Sequence, residues 1–137
     1  MPQPPTTTDP QHLAAIPTPS TDRRFPHERL DAYCVARAVV GFVAEHRARL
    51  HGLPGEAGPQ LERAAVRALL NVAEAAGRQG VRDRARVFAI ARGEACEAAA
   101  ALEVAVLFGA LTSAQAAPAR AWLSRLGQML TRLARPV

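Results

Sequence analysis

Apolar residues, many of them alanine, recur at helical spacing over four successive stretches of the chain. The second stretch carries one such stripe, formed by Leu61, Ala64, Ala68, Val72 and Ala75. Residues three and four apart lie on the same face of an α-helix, so each stripe predicts a helix with one buried face. Alanine is the best helix former, whereas the β-branched residues that favour strands are few and scattered here. The pattern predicts an all-α protein.

Glycine and proline divide these stretches. Residues 51–55, the Gly58–Pro59 pair and residues 77–80 read as loops, which places helices over about 28–50, 60–78 and 82–108. The inner stripe of the first helix is predicted to be Leu30, Tyr33, Ala36, Val40 and Val43. That of the third helix is predicted to be Phe88, Ala91, Ala95, Leu102 and Ala105.

The fourth helix has the clearest start signal. Gly109 is placed to end the third helix in a left-handed conformation, and Thr112 with Gln115 forms a capping box. Pro118 falls in the second turn, which predicts a later start or a kink. The stripe then continues to the C-terminus through Trp122, Leu126, Met129, Leu130 and Leu133. Four amphipathic helices with short connections predict an antiparallel up-down-up-down four-helix bundle.

The first 24 residues differ in composition from the rest. They are rich in proline, threonine and serine, and such a segment buries too little apolar surface to offset its ordering entropy. We expect a disordered tail over 1–24 and a single helical domain over 25–137.

Several classes of protein are disfavoured by the residues present. No signal peptide and no apolar run long enough to span a bilayer is found, so a soluble cytoplasmic protein is expected. No phosphate-binding loop, nucleophile elbow or Cys–His arrangement occurs, and the four histidines lack ligand spacing. We therefore expect no enzymatic activity, no cofactor and no metal site. Cys34 and Cys96 are expected to be buried as small apolar side chains.

The second, third and fourth helices carry strings that resemble a known family. The matching residues of the second helix are Arg63, Ala64, Ala65, Asn71, Val72, Ala73, Glu74, Gly77 and Arg78. Those of the third are Arg86, Val87, Phe88, Ile90, Ala91, Gly93 and Glu97, and those of the fourth are Leu123, Leu126, Gly127, Met129 and Leu130. With Phe25, Leu30 and Tyr33 ahead of them, these strings resemble the 23S ribosomal RNA intervening-sequence (IVS) protein family of small bacterial four-helix bundles.

The chain departs from the family pattern at a few small or polar positions. They are occupied here by Arg67, Leu69, Ala75 and Glu94, which makes this a divergent member. The resemblance implies a four-helix bundle that assembles into a homopentamer. The wider fold includes an accessory protein of a retroelement reverse transcriptase, so an accessory factor of that kind is one functional alternative.

The charge distribution suggests a nucleic-acid-binding surface. The formal net charge is +5 at pH 7, all 17 basic residues are arginine, and the chain beyond Glu103 contains arginines but no acid. Arginine suits phosphate recognition. The predicted contacts lie around the turn between the second and third helices and along the last helix: Arg78, Arg82, Arg84, Arg86, Arg120, Arg125 and Arg132. These stretches lack aromatic residues except Trp122, so binding of RNA or DNA should be directed to the backbone and weakly sequence-specific.

Asn71 and Glu74 form the most notable polar pair outside the arginines. Glu74 has the i, i+4 spacing for an ion pair with Arg78, and Asn71 could form an interhelical hydrogen bond. A subunit-interface or ligand contact is the alternative for this pair. For the whole protein, the alternative to nucleic-acid binding is a protein-interaction scaffold, or adaptor ring, that holds a protein partner.

Overall fold

The computed structural model describes residues 24–136, and these residues form helices joined by short connections. The prediction of an all-α protein is confirmed, and no strand occurs within the described span. Two short 3₁₀-helices cover Pro26–Arg29 and Pro54–Glu56. The α-helices are α1 (Asp31–Glu45), α2 (Arg47–Leu50), α3 (Ala57–Gly77), α4 (Val81–Leu107) and α5 (Ser113–Leu133). The predicted tail lies outside the described residues except for Arg24.

The four long helices pack around a shared apolar core. Helix α3 contacts α4 most extensively, α4 also contacts α5, and α1 contacts both α3 and α5. The predicted stripes of α3 and α4 are buried, and most of their residues are alanines. Small side chains allow the two helices to approach closely. The largest fully buried side chains fill the remaining space: Phe88, Leu50, Leu61, Leu111, Leu126, Leu130, Val39, Val72 and Val87.

The first predicted helix is divided into several elements. Instead of one helix over 28–50, a 3₁₀-helix precedes α1, and the regular α-helix ends before His46, whose φ is −100° and ψ is 9°. The His46 ring donates a 2.9 Å hydrogen bond from Nδ1 to the Phe42 carbonyl, which also accepts the His46 backbone N–H. The buried stripe of α1 also differs from the prediction, since Tyr33 and Val40 are only half-buried. Its fully buried residues are Ala32, Val35, Ala36, Val39, Phe42 and Val43.

Gly58 and Pro59, predicted to lie in a loop, belong to the first turn of α3. Proline is tolerated there because the first N–H groups of a helix have no intrahelical partner. The loop ends just before them at Gly55 and Glu56, which both have positive φ (66° and 62°). The break in the chain therefore lies earlier than the sequence indicated.

The connection between α4 and α5 matches the prediction. Gly109 has φ 76°, and the N–H groups of Gly109 and Ala110 donate to the carbonyls of Val106 and Ala105 at 3.0 and 2.9 Å, which is the Schellman arrangement. The predicted capping box at the start of α5 is present.

Pro118 neither delays nor ends α5. The helix begins at Ser113 and continues through Pro118 as one element. The predicted later start is therefore wrong. The proline has no N–H to donate to the carbonyl one turn earlier, so a backbone hydrogen bond is missing at this point.

Candidate nucleic-acid interface

Three arginines from separate parts of the chain line one surface groove. We call it the three-arginine groove. Its volume is about 310 Å³, and it is lined by Arg24, Pro26, Arg29, Leu30, Ala76 and Arg84. No carboxylate of a described residue is among the lining groups. The lining side chains thus bring three positive charges together, with Glu28 and Asp83 next to Arg29 and Arg84 in the chain.

The 3₁₀-helix Pro26–Arg29 brings two of these arginines to the third. It packs on α3, and Leu30 behind it contacts the apolar core. Its first turn is closed by the Glu28 carboxylate, which accepts a 2.8 Å hydrogen bond from the Phe25 N–H. Arg84, in the first turn of α4, lies near the C-terminal end of α3 because the connection between the two helices is short. Arg24 and Arg29 thus reach Arg84 through tertiary packing.

A second groove adjoins the first one and shares Leu30 with it. This α1–α5 groove has a volume of about 470 Å³. Arg125 and Arg132, two helical turns apart on α5, line it. The remaining lining residues are Leu30, Asp31, Ala32, Gln128, Met129 and Leu133. Neither arginine makes an ion pair with a carboxylate in the described part of the chain. The groove adds two guanidinium groups to the same region of the surface, beside the single acid Asp31.

Two of the other predicted contacts are held by carboxylates. Arg78 pairs with Glu74 on one side and with Asp83, at 3.0 Å, on the other. Asp83 also accepts a 2.9 Å hydrogen bond from Arg86. These ion pairs are exposed and should contribute little to stability. They do reduce the positive potential that Arg78 and Arg86 present, in contrast to the arginines of the two grooves.

The same network shifts the titration of its members. Hydrogen bonding to Glu74, with the neighbouring charge of Asp83, raises the pKa of Arg78 above its ordinary value. Hydrogen bonding from Arg86, together with the charge of Arg78, lowers the pKa of Asp83. The carboxylate therefore stays ionised, and keeps both arginines engaged, to a lower pH than an isolated aspartate would.

Arg82 and Arg120 stand apart from the grooves. Arg82 is exposed on the first turn of α4 and lines neither groove. Arg120 lies 3.8 Å from Glu103 and lines a different groove between α4 and α5. It precedes Arg132 by about 18 Å along α5. The seven predicted arginines therefore do not form one surface.

Asn71 and Glu74 also differ from each other in their surroundings. The Glu74–Arg78 ion pair predicted from the i, i+4 spacing is present. Asn71 is half-buried, and its side chain makes no hydrogen bond to another residue in the range 24–136. The structure supplies no interhelical partner for it within that range.

Phe25, which lies in the chain between the groove-lining residues Arg24 and Pro26, belongs to an aromatic cluster. Phe25 is 67% exposed, and its ring stacks on His27 at 5.5 Å with an interplanar angle of 13°. His27 in turn packs against Tyr33 at 4.6 Å. Trp122 was the one aromatic residue expected near the predicted contacts. The signal missed in the sequence is the string Arg24-Phe25-Pro26-His27, which places two aromatic rings next to a basic residue.

In the part of the chain that the structure describes, no three His, Cys, Asp or Glu side chains come together to hold an ion. The expectation that Cys34 and Cys96 are buried is wrong, since both lie on solvent-facing positions of their helices. Glu94 is half-buried, with one carboxylate oxygen shielded from solvent and unpaired among the described atoms.

No described helix is long and apolar enough to cross a membrane.

The sequence model of one protein family, described as 23S rRNA-intervening sequence protein, matches residues 55–132. The chain belongs to this family. The match covers more than half of the 137 residues and confirms the resemblance seen in the helical strings. No curated protein matches the chain significantly.

The matched span contains only part of the candidate interface in this 23S rRNA-intervening sequence family member. Arg84, Arg125 and Arg132 fall within it, whereas Arg24 and Arg29 precede it. The three-arginine groove thus combines a segment outside the family match with helices inside it.

Proposed function

We propose that this family member is a non-enzymatic protein that binds nucleic acid through phosphates, using the arginines of the two adjoining grooves. The observation that carries the proposal is the meeting of Arg24, Arg29 and Arg84 in one groove that no described carboxylate lines. Guanidinium groups held near one another repel, and a bound polyanion relieves that repulsion while releasing counterions. A phosphate also accepts paired hydrogen bonds from the planar guanidinium fork.

The form of the ligand follows from the spread of the charges. The three-arginine groove and the α1–α5 groove share Leu30, so Arg125 and Arg132 extend the same basic region along α5. Several phosphates in a chain would engage such a region better than one small anion. Contacts of this kind fix position without reading base edges, so affinity should depend weakly on sequence.

The arrangement of the helices belongs to the same proposal. We propose an up-down-up-down four-helix bundle, which the short connections around α4 and the closed set of contacts among α1, α3, α4 and α5 support. The grooves also bring the starts of α1 and α4 to the ends of α3 and α5. The proposed interface would then occupy one end of the bundle.

Self-association is the remaining part of the proposal, with the homopentamer implied by the family resemblance as the expected state. Val66 and Leu70 on α3 and Ile90 on α4 leave large apolar side chains exposed. Exposed apolar residues on neighbouring helices are typical of protein interfaces. Repetition of the grooves in an oligomer would multiply the positive field that a polyanion meets.

A protein-interaction scaffold is the second candidate. Leu107 and Phe108, at the turn after α4, are 74% and 64% exposed. Two adjacent large apolar side chains on a turn could anchor a protein partner. The basic grooves favour nucleic acid as the first ligand to test.

The test is a salt titration of binding with matched arginine variants. Fluorescence anisotropy of labelled RNA and DNA, single-stranded and duplex, would be followed for the wild type and for the double variant Arg29→Gln/Arg84→Gln. Loss of two phosphate contacts should weaken binding at least about tenfold at low salt. It should also reduce the magnitude of the slope of log affinity against log salt concentration by about 1.4 for single strands to 1.8 for duplex DNA. The matched control is Arg49→Gln/Arg92→Gln, which removes the same number of charges from exposed positions on α2 and α4 that line neither groove.

The expected result is a large effect of the double variant and a small one of the control. Absence of salt-dependent binding by the wild type would contradict the proposal. An equal loss in Arg49→Gln/Arg92→Gln would show that net charge, and not the grooves, attracts the ligand.

A further inference from the structure

We infer that Phe25 is a stacking platform, and that the three-arginine groove therefore takes single-stranded nucleic acid, with an unpaired base on Phe25 and an adjacent phosphate among the arginines. This inference rests on the proposed function and specifies its ligand. It starts from the Phe25 ring, which is 67% exposed although the surrounding helices bury many smaller apolar side chains.

The Phe25 ring has an aromatic neighbour, and most of the residue's surface stays exposed. His27 stacks on it at an interplanar angle of 13°, and Tyr33 packs against His27 from the partly buried side. The Phe25 N–H is bonded to the Glu28 carboxylate, which fixes the backbone beneath the ring. A base that stacks on Phe25 would add to the existing Phe25–His27 stack, and little ordering entropy would be lost by the protein.

The position of the ring relative to the groove suits one nucleotide. Arg24 and Pro26, the two chain neighbours of Phe25, both line the three-arginine groove. Consecutive α carbons are about 3.8 Å apart, so the Phe25 backbone lies beside the groove, while its ring is not one of the lining groups. A single flexible strand could place one base on the Phe25 ring and the adjoining phosphate among the arginines of the groove.

The open ring selects against a duplex. In a double helix the faces of the bases are covered by their neighbours, and a protein ring at the surface cannot reach them. An unpaired strand offers every base face, and stacking on an aromatic side chain tolerates any base. Stacking on the base and contacts to phosphate do not depend on the sugar, so single-stranded RNA and DNA should bind with similar affinity.

The experiment compares Phe25→Leu and Phe25→Trp in the full chain. The probes are a labelled single strand of about 12 nucleotides and the duplex formed with its complement. Phe25→Leu keeps an apolar side chain without a π-face and should weaken single-strand binding about tenfold. Phe25→Trp should retain it. Phe108→Leu is the matched control, because Phe108 is 64% exposed at the distant turn after α4.

Duplex binding and stability separate this inference from a structural effect. Duplex affinity and thermal unfolding should be nearly the same in Phe25→Leu and wild type, since an exposed ring adds little to the core. In a Trp122→Phe background, the emission of Phe25→Trp should be quenched by the single strand and not by the duplex.

The outcomes also distinguish this inference from the proposed function. Single-strand binding that is unchanged in Phe25→Leu but lost in Arg29→Gln/Arg84→Gln would overturn the stacking platform and leave the phosphate groove standing. Equal affinity of the wild type for single strand and duplex would also overturn the stacking platform and leave the phosphate groove standing. Absence of binding to either probe would overturn both.

Discussion

The backbone carbonyl of Leu50, at the end of α2, lies against the α carbon of Gly58 in the first turn of α3. A Cβ atom on residue 58 would stand 2.7 Å from the Leu50 carbonyl carbon and still closer to its oxygen. Contacts this short essentially never occur, and the opposing atoms are backbone and cannot rotate away. Only glycine allows the two helices to meet here.

Gly58→Ala should therefore destabilise the protein. Forcing a methyl group into this contact should lower the free energy of unfolding by about 1–3 kcal/mol, measured by urea denaturation. The control is Gly41→Ala in the interior of α1, where no heavy atom lies within 4 Å of the added carbon. That variant should gain about 0.5–1 kcal/mol from helix propensity. A Gly58→Ala protein as stable as wild type would contradict the close approach.

Thr112→Ala should weaken the start of α5. The Gln115 N–H donates to the Thr112 hydroxyl at 3.1 Å, and the Thr112 N–H donates to the Gln115 side chain at 2.9 Å. Loss of the hydroxyl should cost about 1 kcal/mol in unfolding free energy. Thr112→Ser retains the acceptor and should remain close to wild type in the same thermal or urea measurement. If both variants lose equally, the methyl group and not the cap is responsible.

Asp83→Asn should strengthen nucleic-acid binding, if the released Arg78 and Arg86 add phosphate contacts to those of the grooves. The substitution removes the carboxylate that engages Arg86 and one side of Arg78. Affinity should rise about three- to tenfold at low salt. The dependence of log affinity on log salt concentration should become steeper by the amount expected for about one to two additional phosphate contacts. Glu97→Gln is the control, since it removes the same charge from an exposed position on α4 that makes no ion pair with a described residue. Equal gains in both variants would point to net charge alone.

The stability of the wild type should decline in acid partly through Asp83. Its pKa is lowered in the folded state from an ordinary value of 3.8. A lowered pKa adds stability that is fully present above the ordinary value and is lost as the pH falls through the folded one. As the pH is lowered from about 6 to 2, the urea concentration at the unfolding midpoint should thus fall less steeply for Asp83→Asn than for wild type. Because the pair is exposed, added salt should reduce the difference. Parallel pH profiles would contradict the assignment.

Leu70→Asp should disrupt self-association, if the exposed apolar residues of α3 and α4 form the interface. Leu70 is 60% exposed, so the charge should hardly affect folding while it opposes burial in a subunit contact. Light scattering should show a smaller mass for this variant. Leu107→Asp, at the end of α4, should keep the wild-type mass. A wild-type monomer would contradict the interface directly.

The sequence predicted best those elements whose signals are local. The bounds of α4 differ from the prediction by one residue at each end, and the capping box and the left-handed Gly109 are present. These depend on side chains that bond within one turn. The stripe of α1 was predicted less well, because alanines such as Ala32 and Ala36 make several faces of that helix compatible with burial. The burial of Cys34 was predicted from its residue type, and the rotation of the helix places it toward solvent.

The candidate interface was only partly predictable, for a related reason. Arg84, Arg125 and Arg132 were recognised because charge along a helix is visible in the sequence. Arg24 and Arg29 approach Arg84 only because the 3₁₀-helix packs on α3, a contact between residues far apart in the chain. Helical periodicity carries no information about such a contact. The pairing of Asp83 with Arg86, by contrast, follows from their i, i+3 spacing.

The 27-residue length of α4 sets a distance between two chemically different ends. Arg84, in its first turn, and Leu107, at its last residue, are about 35 Å apart along the helix axis. A polyanion held at the first and an apolar partner seated on the second would not collide. The helix is in effect a rigid spacer, and removing one turn from its middle would shorten the reach between two such ligands by about 5 Å.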